Sequence, residues 1–326
     1  MDSHKIEKKE VSEAKKTIDK LKEEVSKVIV GQNIVVDSLI RALLANGHVL
    51  LEGLPGIAKT MTIRALAKAT GCKFSRIQFT IDLLPTDIIG LTTYDPKRGF
   101  KVEKGPVFAN FIIADEINRS SPKTQSALLE AMQEKQVTIG KNTHDLELPF
   151  FVMATQNPIE SSGVYPLPEA QVDRFLFKVY MDFPSEEEEV QVLNQNVTLN
   201  KFEDFKVKEV LNPKKIIEMQ NMVRKIYLAK EMEKYIVRVV NATRQKITRL
   251  GKYIEYGASP RASIGIFIAA KAQALMEGDT YVTPKHVKRV AYDVMRHRIL
   301  LNYEGQAEGV KTDDVIREVL SKVPIP

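Results

Sequence analysis

Gly53-Leu-Pro-Gly-Ile-Ala-Lys59-Thr60 carries glycines, a lysine and a hydroxyl at the spacing of a phosphate-binding loop. The apolar run His48–Glu52 precedes it and helical KTMTIRALAKAT follows, which is the context such a loop requires. Glycines let the backbone turn its N–H groups toward phosphate, beside the positive end of a helix. Lys59 would then neutralise the β- and γ-phosphates, and the Thr60 hydroxyl would ligate magnesium. The general pattern has glycine just before the lysine, where this chain has Ala58. Alanine can hold helical angles, so the expectation is a loop that still closes, with the methyl fitted beside the phosphates.

A second candidate ends the run FIIADE with Asp115 and Glu116. At the carboxyl edge of a parallel sheet, Asp115 would hold magnesium through water and Glu116 would deprotonate the attacking water. An acidic strand-to-loop turn is common alone, but here it lies downstream of a phosphate loop and after a comparable strand. A third strand ends in Thr155-Gln156-Asn157-Pro158, which makes Asn157 a candidate to sense the γ-phosphate. Arg119, Arg174 in QVDRFLF and Arg261 in ASPRAS are candidates for stabilising transferred phosphate, and spacing alone does not choose among them. The five histidines are isolated, without metal-ligand spacing, so zinc is not expected, and His48 reads as a satisfied buried residue.

Elements that could position these groups follow from periodicity. Val11, Ala14, Ile18, Leu21, Val25 and Val28 mark an amphipathic helix that packs on the chain's own body, with a short coiled coil as the alternative. Strand-like runs are His48–Glu52, Phe74–Phe79, Asn110–Ala114 and Phe150–Thr155. Helical stretches lie between them, including SPKTQSALLEAMQEK, so a parallel sheet covered on both faces is expected. Gly90–Pro106 and Gln136–Pro149 interrupt the alternation as hairpin excursions. From Phe183-Pro184-Ser185 onward helical patterns dominate, and the four glutamates at 186–189 belong in the first turn of a helix begun by Ser185. The expected domains are therefore residues 1–184, an α/β core with two hairpin inserts, and 185–326, a smaller all-α domain.

Composition excludes several classes. The 326 residues are 44% hydrophobic and 28% charged, as in an ordinary soluble globular protein. Cys72 is the single cysteine, so no intrachain disulfide forms and a reducing cytoplasm is expected. Its surroundings read as those of a packed thiol, not a nucleophile. No secretory h-region or bilayer-length apolar run is present, so no membrane insertion is expected. The net charge of +6 is spread along the chain and Trp is absent, which speaks against a nucleic-acid platform.

On these residues the chain resembles the MoxR group of AAA+ ATPases. VIVGQ at 28–32 is similar to the segment that packs on adenine there, and GLPGIAKT to a phosphate loop in which alanine before the lysine is common. QFTIDLLPTDIIG, GPVFANFIIADEINRSSPKTQSALLEAMQE, FFVMATQNPIESSGVYPLPEAQVDRFLF and GASPRAS also look like signatures of that group. The resemblance implies an AAA+ core, a P-loop NTPase parallel sheet flanked by helices, followed by a helical lid. It implies ATP or ADP with Mg2+ held by Val30, Gly31, Gln32, Gly53, Pro55, Gly56, Ile57, Ala58, Lys59, Thr60 and Met61. Thr60 and Asp115 would serve the metal, Glu116 would be the base and Asn157 sensor 1. Arg174 would be the finger reaching a neighbour's nucleotide and Arg261 sensor 2, with the hairpins as pore-facing inserts.

The implied activity is ATP hydrolysis by a homo-oligomer, a hexamer, whose cleft between core and lid binds nucleotide. Its motion would remodel, mature or assemble protein clients, often with von Willebrand A-domain proteins. Two rivals are a nucleic-acid motor related to replicative helicase subunits and a nucleotide-gated scaffold without turnover. The dispersed charge opposes the first, and the Asp115-Glu116 pair opposes the second.

Overall fold

The computed structural model describes residues 6–54, 56–97, 99–157, 164–194 and 201–326. Two helices, α1 (Lys8–Ser26) and α2 (Asn33–Leu44), lead into β1 (Val49–Gly53) and α3 (Lys59–Ala69). Next come β2 (Phe74–Gln78), α4 (Pro85–Ile89) and the hairpin β3 (Gly90–Asp95) with β4 (Gly99–Lys104). After β5 (Phe111–Asp115) and α5 (Pro122–Glu134), a second hairpin joins β6 (Gln136–Ile139) to β7 (Asn142–Asp145). The core closes with β8 (Phe151–Gln156), α6 (Glu169–Val172) and β9 (Phe177–Met181).

Five strands form one sheet in the order β2-β5-β8-β1-β9, and every pairing is parallel. Parallel strands with two covered faces bury side chains on both, and alternation sorts them. Val49, Leu51, Phe111, Ile113 and Phe177 face α1 to α3, while Leu50, Ile112, Ala114 and Val152 face Leu128, Leu129 and Met132 of α5. The stripe of α1 is consumed internally, because Val11, Ala14, Ile18, Leu21 and Val25 are all buried within this chain. Ser121 caps α5 by accepting from Thr124 N, with Pro122 in the first turn.

The sheet extends one strand further than the sequence pattern indicates. The strand-like runs read from the sequence end at Thr155, yet β9 follows Arg174 and forms the edge beside β1. Five residues with Lys178 and Tyr180 between buried Phe177, Val179 and Met181 make a short edge strand, too brief to stand out by period alone.

Beyond β9 lie α7 (Glu186–Asn194), α8 (Pro213–Lys225), α9 (Lys230–Gln245), β10 (Ile254–Tyr256), α10 (Pro260–Glu277) and α11 (Pro284–Met295). The chain ends through β11 (Leu300–Leu301), α12 (Tyr303–Ala307) and α13 (Thr312–Lys322). Among the described residues this region is mainly helical, with 3-10 turns at Phe202–Phe205 and Arg249–Tyr253, a Tyr227–Tyr281 bridge and the small β10–β11 ladder. Helix α10 packs against α1, α2, α8, α9 and α11, so its apolar residues surround the helix. No helix among the described residues is long and apolar enough to cross a membrane.

Candidate active site

Three strands of the sheet end side by side at its carboxyl edge, and each delivers part of the candidate site. β1 ends at Gly53, whose missing side chain is required because a Cβ would lie 2.6 Å from the Met181 carbonyl oxygen of β9. The chain then turns through Gly56 at φ +84° and enters α3 at Lys59. Ala58 does not take the helical angles expected of it. Its φ of 60° and ψ of 25° are left-handed, which explains why a glycine suits this position in the general pattern. The Lys59 ammonium donates to the Gly53 carbonyl across the loop. Thr60 and Met61 follow in the first turn of α3, half-buried. Pro55 lies outside the described residues.

Asp115 ends β5, and its two oxygens have different partners. Thr155 Oγ1 donates to Oδ1 at 2.8 Å, and Arg76 donates to Oδ2 at 2.7 Å. The same Thr155 hydroxyl accepts from the Glu116 N–H at 2.8 Å, which ties the turn after β5 to the end of β8. Glu116 is also left-handed, at φ 57°. Its carboxylate accepts from Gln78 Nε2 at 2.9 Å and lies 3.2 Å from Arg119 Nε. Asn157 follows β8 directly and is 8% exposed. Because β8 lies between β5 and β1, Asn157 leaves the sheet between the acidic pair and the phosphate-type loop.

Beside the loop is a cleft of about 360 Å³ lined by Val28, Ile29, Val30, Gln32, Gly56, Ile57 and Ala58 on one side. Phe183, Pro184, Val192 and Leu193 line it on the other. Gln32 is fixed by donating to the Asp182 carbonyl at 3.0 Å, and Gly31 takes a left-handed φ of +76°, which favours glycine there. Phe183 and Leu193 are 62% and 74% exposed, an apolar wall without protein cover. A flat aromatic base fits such a cleft, with its phosphates leading to Lys59. Sequence reasoning did not single out Thr155, Arg76, Gln78 or this wall of α7. Arg76 and Gln78 have a readable signal, since they alternate with buried Ile77 at period two and so share the face of β2 that meets the acidic pair.

Arg174 and Arg261 are brought together, but away from the loop. Arg174 lies ahead of β9, where Leu176 N donates to the His48 carbonyl at the start of β1. That is the amino edge of the sheet, roughly 15 Å of strand from the carboxyl edge. Arg174 donates to the Leu129 carbonyl at 3.3 Å and is otherwise exposed. Arg261, at the start of α10, pairs with Asp173 at 3.2 Å. Both arginines line one cleft of about 320 Å³ that also includes His48, Met132 and Ile264.

His48 is buried and doubly bonded. Its Nδ1 accepts from Val152 N at 3.1 Å, which leaves Nε2–H to donate to the Met132 carbonyl at 3.1 Å. Burial lowers its pKa from 6.5 to about 4. The Cys72 thiol is pushed up to about 11 by burial, the opposite of an activated nucleophile. Glu277, Asp279 and His286 form the one group among the described residues whose donor atoms are close enough for a metal. However, His286 Nδ1 accepts from Thr283 N, so the proton sits on Nε2, the nitrogen a metal would need.

Residues 48–177 match the family described as ATPase family associated with various cellular activities (AAA), and 246–319 match the AAA lid domain. The chain is 47% identical to Chaperone MoxR1 of Mycobacterium tuberculosis, covering 95% of this chain and 82% of that one. It is 44% identical to the protein YeaC of Bacillus subtilis over 95% of both chains. A candidate ATPase from Cytophaga hutchinsonii has a solved structure that superposes with a TM-score of 0.91 at 46% identity, covering 98% of this chain and 97% of the other.

Proposed function

Since this chain belongs to the MoxR family of AAA+ ATPases, we propose that it hydrolyses ATP with magnesium as a homo-oligomer and uses the turnover for chaperone-like work on protein clients. The observation that carries the chemistry is the convergence of Lys59, Asp115-Glu116 and Asn157 at one sheet edge beside an apolar cleft. In this reading Gly53, Pro55, Gly56, Ile57 and Ala58 wrap the phosphates. Lys59 would neutralise them, Thr60 and Asp115 would hold Mg2+, and Met61 lies beside them in the first turn of α3. Val30, Gly31 and Gln32, with Phe183 and Leu193, enclose the adenine. Magnesium would supply neutralising positive charge to the phosphates. Glu116 takes the proton of the attacking water, and Asn157 orients that water or the γ-phosphate.

Arg174 and Arg261 serve a neighbouring subunit's nucleotide, because both sit at the amino edge of the sheet, a strand length from their own loop. A head-to-tail ring presents that edge of one subunit to the carboxyl edge of the next, and a hexamer is the stoichiometry proposed. The core is residues 1–184 and the lid 185–326, and the hairpins β3–β4 and β6–β7 face the pore. A von Willebrand A-domain protein is the client class proposed, in a reducing cytoplasm that suits the lone Cys72.

Steady-state hydrolysis tests this reading. The expected result is ATP turnover that disappears when magnesium is chelated and in Lys59→Ala, which also loses nucleotide binding. Turnover that persists in Lys59→Ala would move the chemistry away from this loop.

A further inference from the structure

The backbone on either side of Arg174 is gripped by side chains from the lid. The Arg298 side chain is 3% exposed, and its guanidinium donates to the carbonyls of Asp173 at 3.1 Å, Phe175 at 2.7 Å and Leu176 at 3.1 Å. His297 Nε2 lies 3.0 Å from the Phe175 carbonyl. The Asp173 side chain completes this arrangement from the core. Its carboxylate accepts from Arg298 Nε at 2.6 Å, from Arg261 at 3.2 Å and from the Ser259 hydroxyl at 3.2 Å.

A buried guanidinium needs a counter-charge, and Asp173 is the carboxylate that pairs with Arg298 among the described residues. Neutralising Arg298 does not require Arg261, whose side chain is 53% exposed and yet held against the same carboxylate. Exposed arginines lose side-chain entropy when pinned, so a fixed one beside Arg174 signals orientation more than stability. Arg174 itself has no carboxylate partner among the described ion pairs and donates to the Leu129 carbonyl at 3.3 Å, so its reach is set by that long contact together with the backbone beneath it.

We propose that Asp173 is a positioning residue: it fixes the backbone under Arg174 and the guanidinium of Arg261, so that both arginines meet the neighbouring subunit's phosphates as one set. This rests on the assignment of Arg174 to the neighbour's site made above. Asp173 touches no nucleotide in this scheme. Its loss therefore lowers kcat at the next subunit's site and leaves KM at its own site unchanged.

Mixed oligomers separate the possibilities. Wild-type chain is mixed with a large excess of Lys59→Ala chain, which cannot turn over but still offers its arginines. Two further mixtures use Lys59→Ala/Asp173→Asn and Lys59→Ala/Arg174→Ala in its place, with assembly checked by mass. Turnover of the wild-type sites should fall by about 100-fold in the Asp173→Asn mixture, the scale on which ångström displacement of a catalytic group acts. The Arg174→Ala mixture should fall at least as far. If Asp173→Asn donors support turnover as well as Lys59→Ala donors while Arg174→Ala donors do not, the proposal is overturned and the assignment of Arg174 stands. If neither donor variant reduces turnover, the assignment of Arg174 fails first. Should Asp173→Asn fail to assemble, Asp173→Glu retains the charge that Arg298 needs and shifts the carboxylate by one methylene. Reduced support with an unchanged melting point is then expected, and undiminished support overturns the proposal.

Discussion

Ala58 and Glu116 both hold left-handed backbone at the candidate site, and neither is glycine. Such a conformation costs an L-residue roughly 1–2 kcal/mol, partly offset against glycine's larger entropy loss on folding. Ala58→Gly should therefore stabilise the protein by about 0.5–1 kcal/mol, read as a higher urea midpoint with the same slope. A lower midpoint would mean that the methyl packs usefully and the strain is small. Glu116 is turned into its conformation by the Thr155 hydroxyl and held by Gln78 and Arg119, so its carboxylate has a fixed direction. Glu116→Gln keeps the shape and loses the base. It should bind ATP while kcat falls by about 10²–10⁴-fold, and undiminished turnover would remove Glu116 from that role.

At the scale of elements, His48 is the clamp that joins three of them. It immediately precedes β1, accepts from β8 and donates to the end of α5, and its acceptor nitrogen faces an N–H, leaving no room for a second proton. Unfolded histidine takes up its proton near pH 6.5, whereas burial delays this to about 4 in the folded chain. Between those values the unfolded chain binds more protons, so stability falls as pH drops through that window. His297, lowered well below 6.5 by burial and by Arg298, acts with the same sign. Denaturant unfolding at about pH 7.5 and pH 5 should show a loss of about 2 kcal/mol from His48 alone. A flat profile would contradict neutral burial.

The same elements show what the sequence made legible. GLPGIAKT, FIIADE and TQNP each end a strand, and apolar runs plus helical spacing were enough to put all three on one sheet edge. Period two failed at β9, where five residues with Lys178 and Tyr180 gave too short an alternation. It also gave no sign that Arg174 and Arg261 share a cleft. That contact joins positions 88 residues apart through Asp173, and no local pattern encodes such a distance.

At the scale of the whole molecule, the lid is tied to the core by buried charge as well as by apolar packing. Arg41, 1% exposed, bonds Gln273 and Asp293, and Arg296 bridges Asp293, Asp313 and the Lys178 carbonyl of β9. Core and lid thus carry Arg174 and Arg261 on one edge and the proposed nucleotide cleft on another, and in the proposed ring a neighbouring subunit would bring the two edges together. Completion by a neighbour would make specific activity depend on protein concentration, with dilute chain expected to turn over slowly. It also makes two inactive variants complementary. Arg174→Ala keeps an intact loop but should lose about 10³–10⁵-fold in kcat, the worth of an arginine supplied in trans. Lys59→Ala keeps its arginines but binds no nucleotide. In a random equal mixture, about a quarter of head-to-tail interfaces join an intact loop to an intact arginine, so about a quarter of wild-type turnover should return. Full activity of Arg174→Ala alone would show that each subunit completes its own site, and no recovery on mixing would show that the two residues must act within one chain.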